Sequence, residues 1–381
     1  MTRCSRRVFA VLAVAAALAV VLVVAAGLAA CGSPGTTTST STVSTEPPTI
    51  AASTTQGPTG SAAETSTSEA ATSTSAAPAK LSKLTLVAPP GPMAIPLAYM
   101  AVNNKLAEVA DKTDVVIWEN ADQLKAYVAG GQGDFVTMPS NNAAIFYNKG
   151  LQLKLLDISV WNITYLITSD SRVASFADIK GQSLAVPFEG SVPDLMFQYI
   201  VKAEGLDPLK DFKVRYTADP TQAAQLLLSG QVQNAVLSEA LATSVILQTK
   251  DTAKPLHRAL AFDKAWGDAS GGPDSPIAGT VATASMLSRP DVIAVFEREY
   301  KAAVQWMTDH PEEAGQLVET QLPQLGLKAA VMTASLKNIT WRYTTAMDAR
   351  ASLDQFYLDL SQLSPEVIGG KVPDDGFYFK P

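Results

Sequence analysis

Three regimes of hydrophobic and polar patterning follow one another along this chain. Residues 8–30 are apolar without interruption, and residues 33–79 hold almost no large apolar side chain. From Lys80 onward, short β-type runs alternate with stripes of apolar residues at helical spacing. This last part says similar things twice, about a hundred residues apart. A strand at 84–88 is followed by Pro89, Gly91 and Pro96 and a helix over 97–106; a strand at 183–186 is followed by Pro187, Gly190 and Pro193 and a helix over 195–203. The next unit repeats as strand 115–118, helix 121–129, Gly130 and strand 134–138, matched by 213–216, 221–229, Gly230 and 234–238. Gly130 and Gly230 are expected to act as helix C-cap glycines.

Each copy reads β-α-β-α-β, which requires a parallel or mixed sheet with right-handed crossovers and helices on both faces. Ligands of such sheets bind beyond the C-terminal strand ends. Two copies with those ends facing would enclose one cleft, lined by loops 90–95, 118–120, 139–142, 188–191, 217–219 and 238–240. An Ile/Thr/Tyr-rich run at 161–169 carries the chain from the first copy to the second, and a β-rich run at 279–286 carries it back. Residues 290–363 are helical by pattern and most simply complete the first lobe.

The two ends of the pattern change this picture. Arg3, Arg6 and Arg7, the apolar run and Leu28-Ala29-Ala30-Cys31 have the order of an export signal with a lipidated cysteine, against the alternative of an uncleaved membrane anchor. The Ser/Thr-rich stretch then reads as a flexible tether with a reach of roughly 35 to 40 Å. The expected organisation is a signal peptide at 1–30, lipidated Cys31 and tether at 31–80, lobe one at 81–166 with 276–381, and lobe two at 167–275. Loss of residues 1–30 removes three Arg and no acid, so the formal charge of −7 becomes −10. That balance argues against nucleic-acid binding. Cys4 and Cys31 are the only cysteines, which leaves the body without a disulfide or a cysteine metal site.

Catalytic signatures are missing. His257 and His310 stand apart without a metal-ligand pattern, and there is no nucleophile elbow, phosphate loop or dinucleotide fingerprint. No catalytic residue, metal or cofactor is expected.

Five segments, Gly91-Pro92 with Pro96-Leu97-Ala98, residues 130–140 with Lys149-Gly150, residues 176–181 before 184–187, residues 230–239, and His310-Pro311-Glu312-Glu313-Ala314, together resemble the nitrate, taurine and aliphatic-sulfonate binding family of ABC importers, which includes thiamine-precursor binders. The resemblance covers residues 81 to about 361. It implies an α/β fold of the periplasmic-binding-protein-like type II, with two β-α-β lobes, a ligand cleft and two crossover strands. It implies an extracytoplasmic, lipid-anchored, monomeric solute-binding protein that is not an enzyme, with a small-molecule ligand and an ABC permease and its ATPase as partners. The alternatives are an enzyme on the same fold, similar to chorismate dehydratases, and a ligand-sensing receptor subunit. Where many members have Glu-Pro, this chain has Glu239-Ala240.

The candidate ligand-binding residues are Gly91, Pro92, Met93, Trp118, Ser140, Asn141, Trp161, Asn162, Glu189, Gly190, Ser191 and Glu239. Gly190 and Ser191 precede a helix and could donate to a ligand, or Ser191 and Asp194 could simply cap it. Ser140 and Asn141 pose the same choice. Trp118 and Trp161 could stack on a ligand ring or pack in the core. Loops 89–95, 139–142 and 187–191 hold no basic residue, whereas Glu189 and Glu239 are acidic. A neutral or weakly cationic nitrogen compound is therefore expected over nitrate or a simple sulfonate, unless Lys264, close to Trp266, reaches the cleft.

Overall fold

The computed structural model describes residues 79–272 and 275–381; the apolar run, Cys31 and the Ser/Thr-rich stretch lie outside them. Among the described residues no helix is long and apolar enough to cross a membrane. The first copy runs β1 (Leu84–Ala88), α1 (Ile95–Val102), β2 (Thr113–Ile117), α2 (Ala121–Ala129), β3 (Phe135–Pro139) and α3 (Ser140–Asn148). Then β4 (Leu153–Leu155) and β5 (Asp157–Asn162) lead into β6 (Thr164–Thr168). The second copy is β7 (Ser183–Pro187), α4 (Val192–Ala203), β8 (Lys213–Thr217), α5 (Pro220–Leu228), β9 (Asn234–Ser238) and α6 (Leu241–Thr249). It is followed by β10 (His257–Ala261), α7 (Phe262–Ser270) and β11 (Ala278–Thr283). The C-terminal part holds α8 (Pro290–Asp309), α9 (Pro311–Gln321), α10 (Ala329–Leu336), β12 (Thr340–Thr345) and α11 (Arg350–Leu363).

One sheet has the order β12-β5-β11-β3-β1-β2 with β4 on β11, and the other β10-β6-β9-β7-β8. Both contain the same unit. β1 lies parallel between β2 and β3, as β7 lies parallel between β8 and β9. The antiparallel neighbour of β3 is β11, which follows the second copy in sequence, and that of β9 is β6, which follows the first. The chain therefore changes sheets at Ile163, between β5 and β6, and returns just before Ala278. Trp161 and Asn162, expected on the crossing run, end β5 in the first sheet.

Local chemistry repeats with the topology. Asn120 and Asp219 cap α2 and α5 by accepting from the N–H groups of Gln123 (3.0 Å) and Gln222 (2.9 Å). Those two glutamines reach back to the N–H groups of Glu119 and Ala218, a reciprocal arrangement that satisfies otherwise orphaned donors. The helix ends differ from expectation. Gly130 has φ −86° and the left-handed residue is Gly131, which matches Gly230 at φ +71°. A Cβ on Gly130 would lie 2.6 Å from the Ala126 carbonyl oxygen, so a glycine is still required there. Helix α1 stops at Val102, four residues earlier than its pattern suggested, where Asn104 turns to φ +50°.

Helix α8 covers the first copy, with Trp306 stacked on Tyr99 and Phe296 on Phe135, each pair at 3.9 Å between centroids. Helix α11 does not belong to the first copy alone. Its Tyr357 hydroxyl donates to the Ser140 carbonyl at 2.9 Å, while the neighbouring Phe356 packs edge-on against Trp266 of α7 at 5.1 Å.

One buried acid sits in the first sheet. Asp157 is fully buried, and neither carboxylate oxygen has a hydrogen-bond partner among the described residues. Burial, reinforced by the nearby charge of Glu297, pushes its carboxyl well above the usual range. The folded protein thus holds this proton more tightly than the unfolded chain, and the associated stability, full below the ordinary carboxylate range, is lost as pH rises from that range to the raised folded value. Asp157→Asn is expected to melt a few degrees above the wild type at pH 7, with the gap closing toward pH 4. A gap independent of pH in thermal melts would contradict this origin.

Candidate functional site

A cavity of about 740 Å³ lies where the C-terminal ends of β1, β3, β7 and β9 converge. Pro92 and Met93 enter it after β1, and Asn141, Asn142 and Ile145 after β3. The loop after β7 supplies Phe188, Gly190 and Ser191, and Glu239 comes from the end of β9. Both sheet changes also reach it, through Ile163 with Thr164 and Ile277 with Ala278.

The two sheet changes are fixed in the same way. The N–H of Ser140, the residue after β3, donates to the Ile277 carbonyl at 2.8 Å, and that of Glu239, the residue after β9, donates to the Ile163 carbonyl at 2.9 Å. The Ser140 hydroxyl donates to the Pro276 carbonyl at 2.6 Å, and its own carbonyl accepts from Tyr357. Its polar groups are committed to the fold, and it does not line the cavity. Asn141 does, and its Nδ2 donates to the Val367 carbonyl at 3.1 Å while its Oδ1 has no hydrogen-bond partner among the described residues.

The loop after β7 is held rigidly. The Phe188 N–H donates to the Thr217 carbonyl at 2.9 Å, and the buried carboxylate of Asp194 accepts from the Gly190 N–H (2.8 Å), Gln198 (3.0 Å) and the Tyr216 hydroxyl (3.1 Å). Burial, with the charge of Asp194, raises the Tyr216 hydroxyl above its usual range and keeps it a donor. The Gly190 N–H, expected as a ligand donor, is spent on Asp194. Between these anchors Phe188 adopts φ +55°, a conformation that costs a bulky residue energy, and its ring lines the cavity half-exposed.

Glu239 is an internal ion. Its side chain is fully buried and forms a salt bridge with Arg258, whose Nε lies 2.7 Å from Oε1. Thr243 donates its hydroxyl to Oε2 at 2.6 Å. Arg258 also lies 5.4 Å from the centroid of the Tyr165 ring, and the Tyr165 hydroxyl donates to the Asn338 carbonyl. Burial and the charge of Glu239 push that phenol up to about 12. The Glu239–Ala240 peptide bond is cis.

Of the sequence candidates, Pro92, Met93, Asn141, Gly190, Ser191 and Glu239 meet at the cavity; Gly91, Trp118, Ser140, Trp161, Asn162 and Glu189 do not line it. Gly91 adjoins it at φ +119°. The Trp118 indole donates to the Thr137 carbonyl at 3.3 Å, and that of Trp161 to the Arg342 carbonyl at 2.9 Å, with the Arg342 guanidinium over its ring. Asn162 is buried and accepts from the Thr164 N–H. Glu189 is exposed. Lys264 is paired with Asp268 at 2.6 Å, outside the lining. The lining residues that sequence reasoning missed include Met196 of α4, Phe356 of α11, and Glu366 and Val367 beyond α11.

Residues 113–269 match the model of the NMT1-like family. No curated protein matches the sequence. Among solved structures, an ABC transporter from Parabacteroides distasonis superposes with a TM-score of 0.65 at 22% identity, over 78% of this chain and 99% of that one. The periplasmic aliphatic sulphonate binding protein of Escherichia coli gives 0.62 at 15% identity over 79% and 92%. The fold is that of the type II periplasmic binding proteins. The periplasmic nitrate-binding protein of Synechocystis PCC 6803 is similar to it as well, at 0.52 and 15% identity over 70% and 74% of the two chains. The resemblance read from the sequence is thus borne out, and in this binding-protein fold the cavity occupies the junction of the two sheets.

The Glu239–Arg258 pair gives a direct test of that junction. Arg258→Met strands a fully buried carboxylate and is expected to cost about 3 kcal/mol in denaturant unfolding. A loss below about 1 kcal/mol would mean that the pair behaves as an exposed one.

Proposed function

We propose that the protein is the extracytoplasmic solute-binding component of an ABC importer, capturing a small molecule between two lobes and presenting it to a permease and its ATPase. The observation that carries this reading is an apolar cavity at the strand ends of two sheets with one shared topology, beside both places where the chain crosses between them. The names of its structural relatives, binding proteins for sulphonate and nitrate, support it. The lobes are bounded by the sheet changes, 81–163 with 276–381 for the first and 164–275 for the second, three residues before the boundary expected at 166 because β6 pairs within the second sheet, and rotation about the two changes closes them on the ligand. Ligand is released unchanged. Export and acylation at Cys31 tether the body to the outer face of the membrane through the Ser/Thr-rich stretch, at the point of delivery.

The full chain is expected to carry a small molecule visible in native mass spectra. Adding this back to stripped protein should raise the melting temperature and reduce the radius of gyration in scattering. Bound ligand with unchanged dimensions would overturn closure. In cells, Cys31→Ser should abolish lipid labelling and membrane retention together; retained labelling would remove the anchor.

A further inference from the structure

The cavity wall carries a chemical signature at odds with the simple oxyanions named for the structural relatives. Most of its lining is apolar, with Met93, Ile163, Phe188, Met196, Ile277 and Phe356 as the larger side chains. Among the described residues, no Lys, Arg or His lines it. Arg258, which adjoins the lining through Glu239, is spent on Glu239 and Thr243, and Lys264 pairs with Asp268 outside the lining. The lining carboxylates are Glu239, neutralised by Arg258, and Glu366, which is exposed and forms no ion pair among the described residues.

We propose that this cavity takes an organic molecule with an apolar, ring-sized body and no negative charge, and discriminates against nitrate, taurine and sulfonates. The proposal rests on the cavity being the binding site, as inferred above. An anion drawn into it would lose its hydration without meeting a cationic side chain, and would face Glu366. The N–H donor that an oxyanion would seek in the loop after β7 is occupied too, since Gly190 gives its hydrogen to Asp194. A molecule with an apolar body exchanges water for close-packed walls, and about 740 Å³ falls within the usual range for sites that enclose ring-bearing ligands. Phe188 and Phe356 supply aromatic faces for such a body. The Oδ1 of Asn141 offers it an acceptor, which suits a hydroxyl or amine donor.

The test uses probes that share one skeleton and differ in charge. Calorimetry on the full chain, stripped of bound ligand, compares 2-naphthol, 2-naphthylmethylamine and 2-naphthalenesulfonate, with nitrate and taurine as simple anions. The neutral and cationic naphthyl probes should bind at least about tenfold more tightly than the sulfonate, and nitrate and taurine should give no saturable heat. Phe188→Asp should weaken the naphthyl probes by about tenfold or more; a melting curve checks that it folds. Equal or tighter binding of the sulfonate, or no binding of any naphthyl probe, overturns the proposal. Binding of nitrate or taurine that Phe188→Asp abolishes overturns the ligand class and leaves the cavity as the site. Binding of any probe that is indifferent to Phe188→Asp counts instead against the cavity.

Discussion

The exchange of one strand between the two sheets is the constraint on which the rest depends. β6 completes the second sheet although it follows the first copy in sequence, and β11 completes the first although it follows the second. Neither sheet has its fourth strand without chain that has crossed from the other. The crossings at Ile163 and Ile277 therefore have to lie side by side at the junction, and both become cavity wall. The N–H groups of Ser140 and Glu239, one residue past equivalent strands, hold them there. In the function proposed above, a ligand resting on these crossings touches the segments about which the two lobes would turn, so binding would be coupled to closure.

Around this junction, polar chemistry is largely internal. Ser140 and Glu239 directly follow strand ends at the cavity and Asp194 lies in the first turn of α4, and each is satisfied by protein partners. A carboxylate left unpaired there would cost several kcal/mol, so Arg258 and Thr243 accompany Glu239, and Tyr216, Gln198 and the Gly190 N–H accompany Asp194. The outcome is a rigid polar frame behind an apolar surface. Phe188 marks the boundary: its backbone is held in a costly left-handed conformation by hydrogen bonds on both sides, while its ring stays in the cavity.

The repeated β-α-β-α-β unit was legible in the sequence because each of its signals is local. Short, nearly unbroken apolar runs mark strands such as Leu84–Ala88 and Ser183–Pro187, and N-x-x-Q and D-x-x-Q stand at the starts of α2 and α5. In loops 118–120 and 217–219, which do not line the cavity, the side chains of Asn120 and Asp219 are committed to these caps. Half of the candidate site was legible on the same topological argument, for a strand end followed by a helix is where such a sheet opens. Trp118 and Trp161 misled because an indole N–H is equally well satisfied by a buried carbonyl, and both found one. Phe356, Glu366 and Val367 carried no local signal at all. They reach the cavity only because α11 packs on Ser140 and Trp266 together, a tertiary fact with more than 200 residues between Tyr357 and Ser140.

The central claim is that one ligand engages both copies at once through this junction. Hydrogen–deuterium exchange on the full chain, compared with its co-purified ligand in place and after stripping by refolding, tests that claim most directly. The account predicts simultaneous protection of residues 139–145, 188–196 and 364–367, together with the crossings at 163–164 and 277–278. Protection confined to the loops of a single sheet, or absent from both crossings, would contradict it.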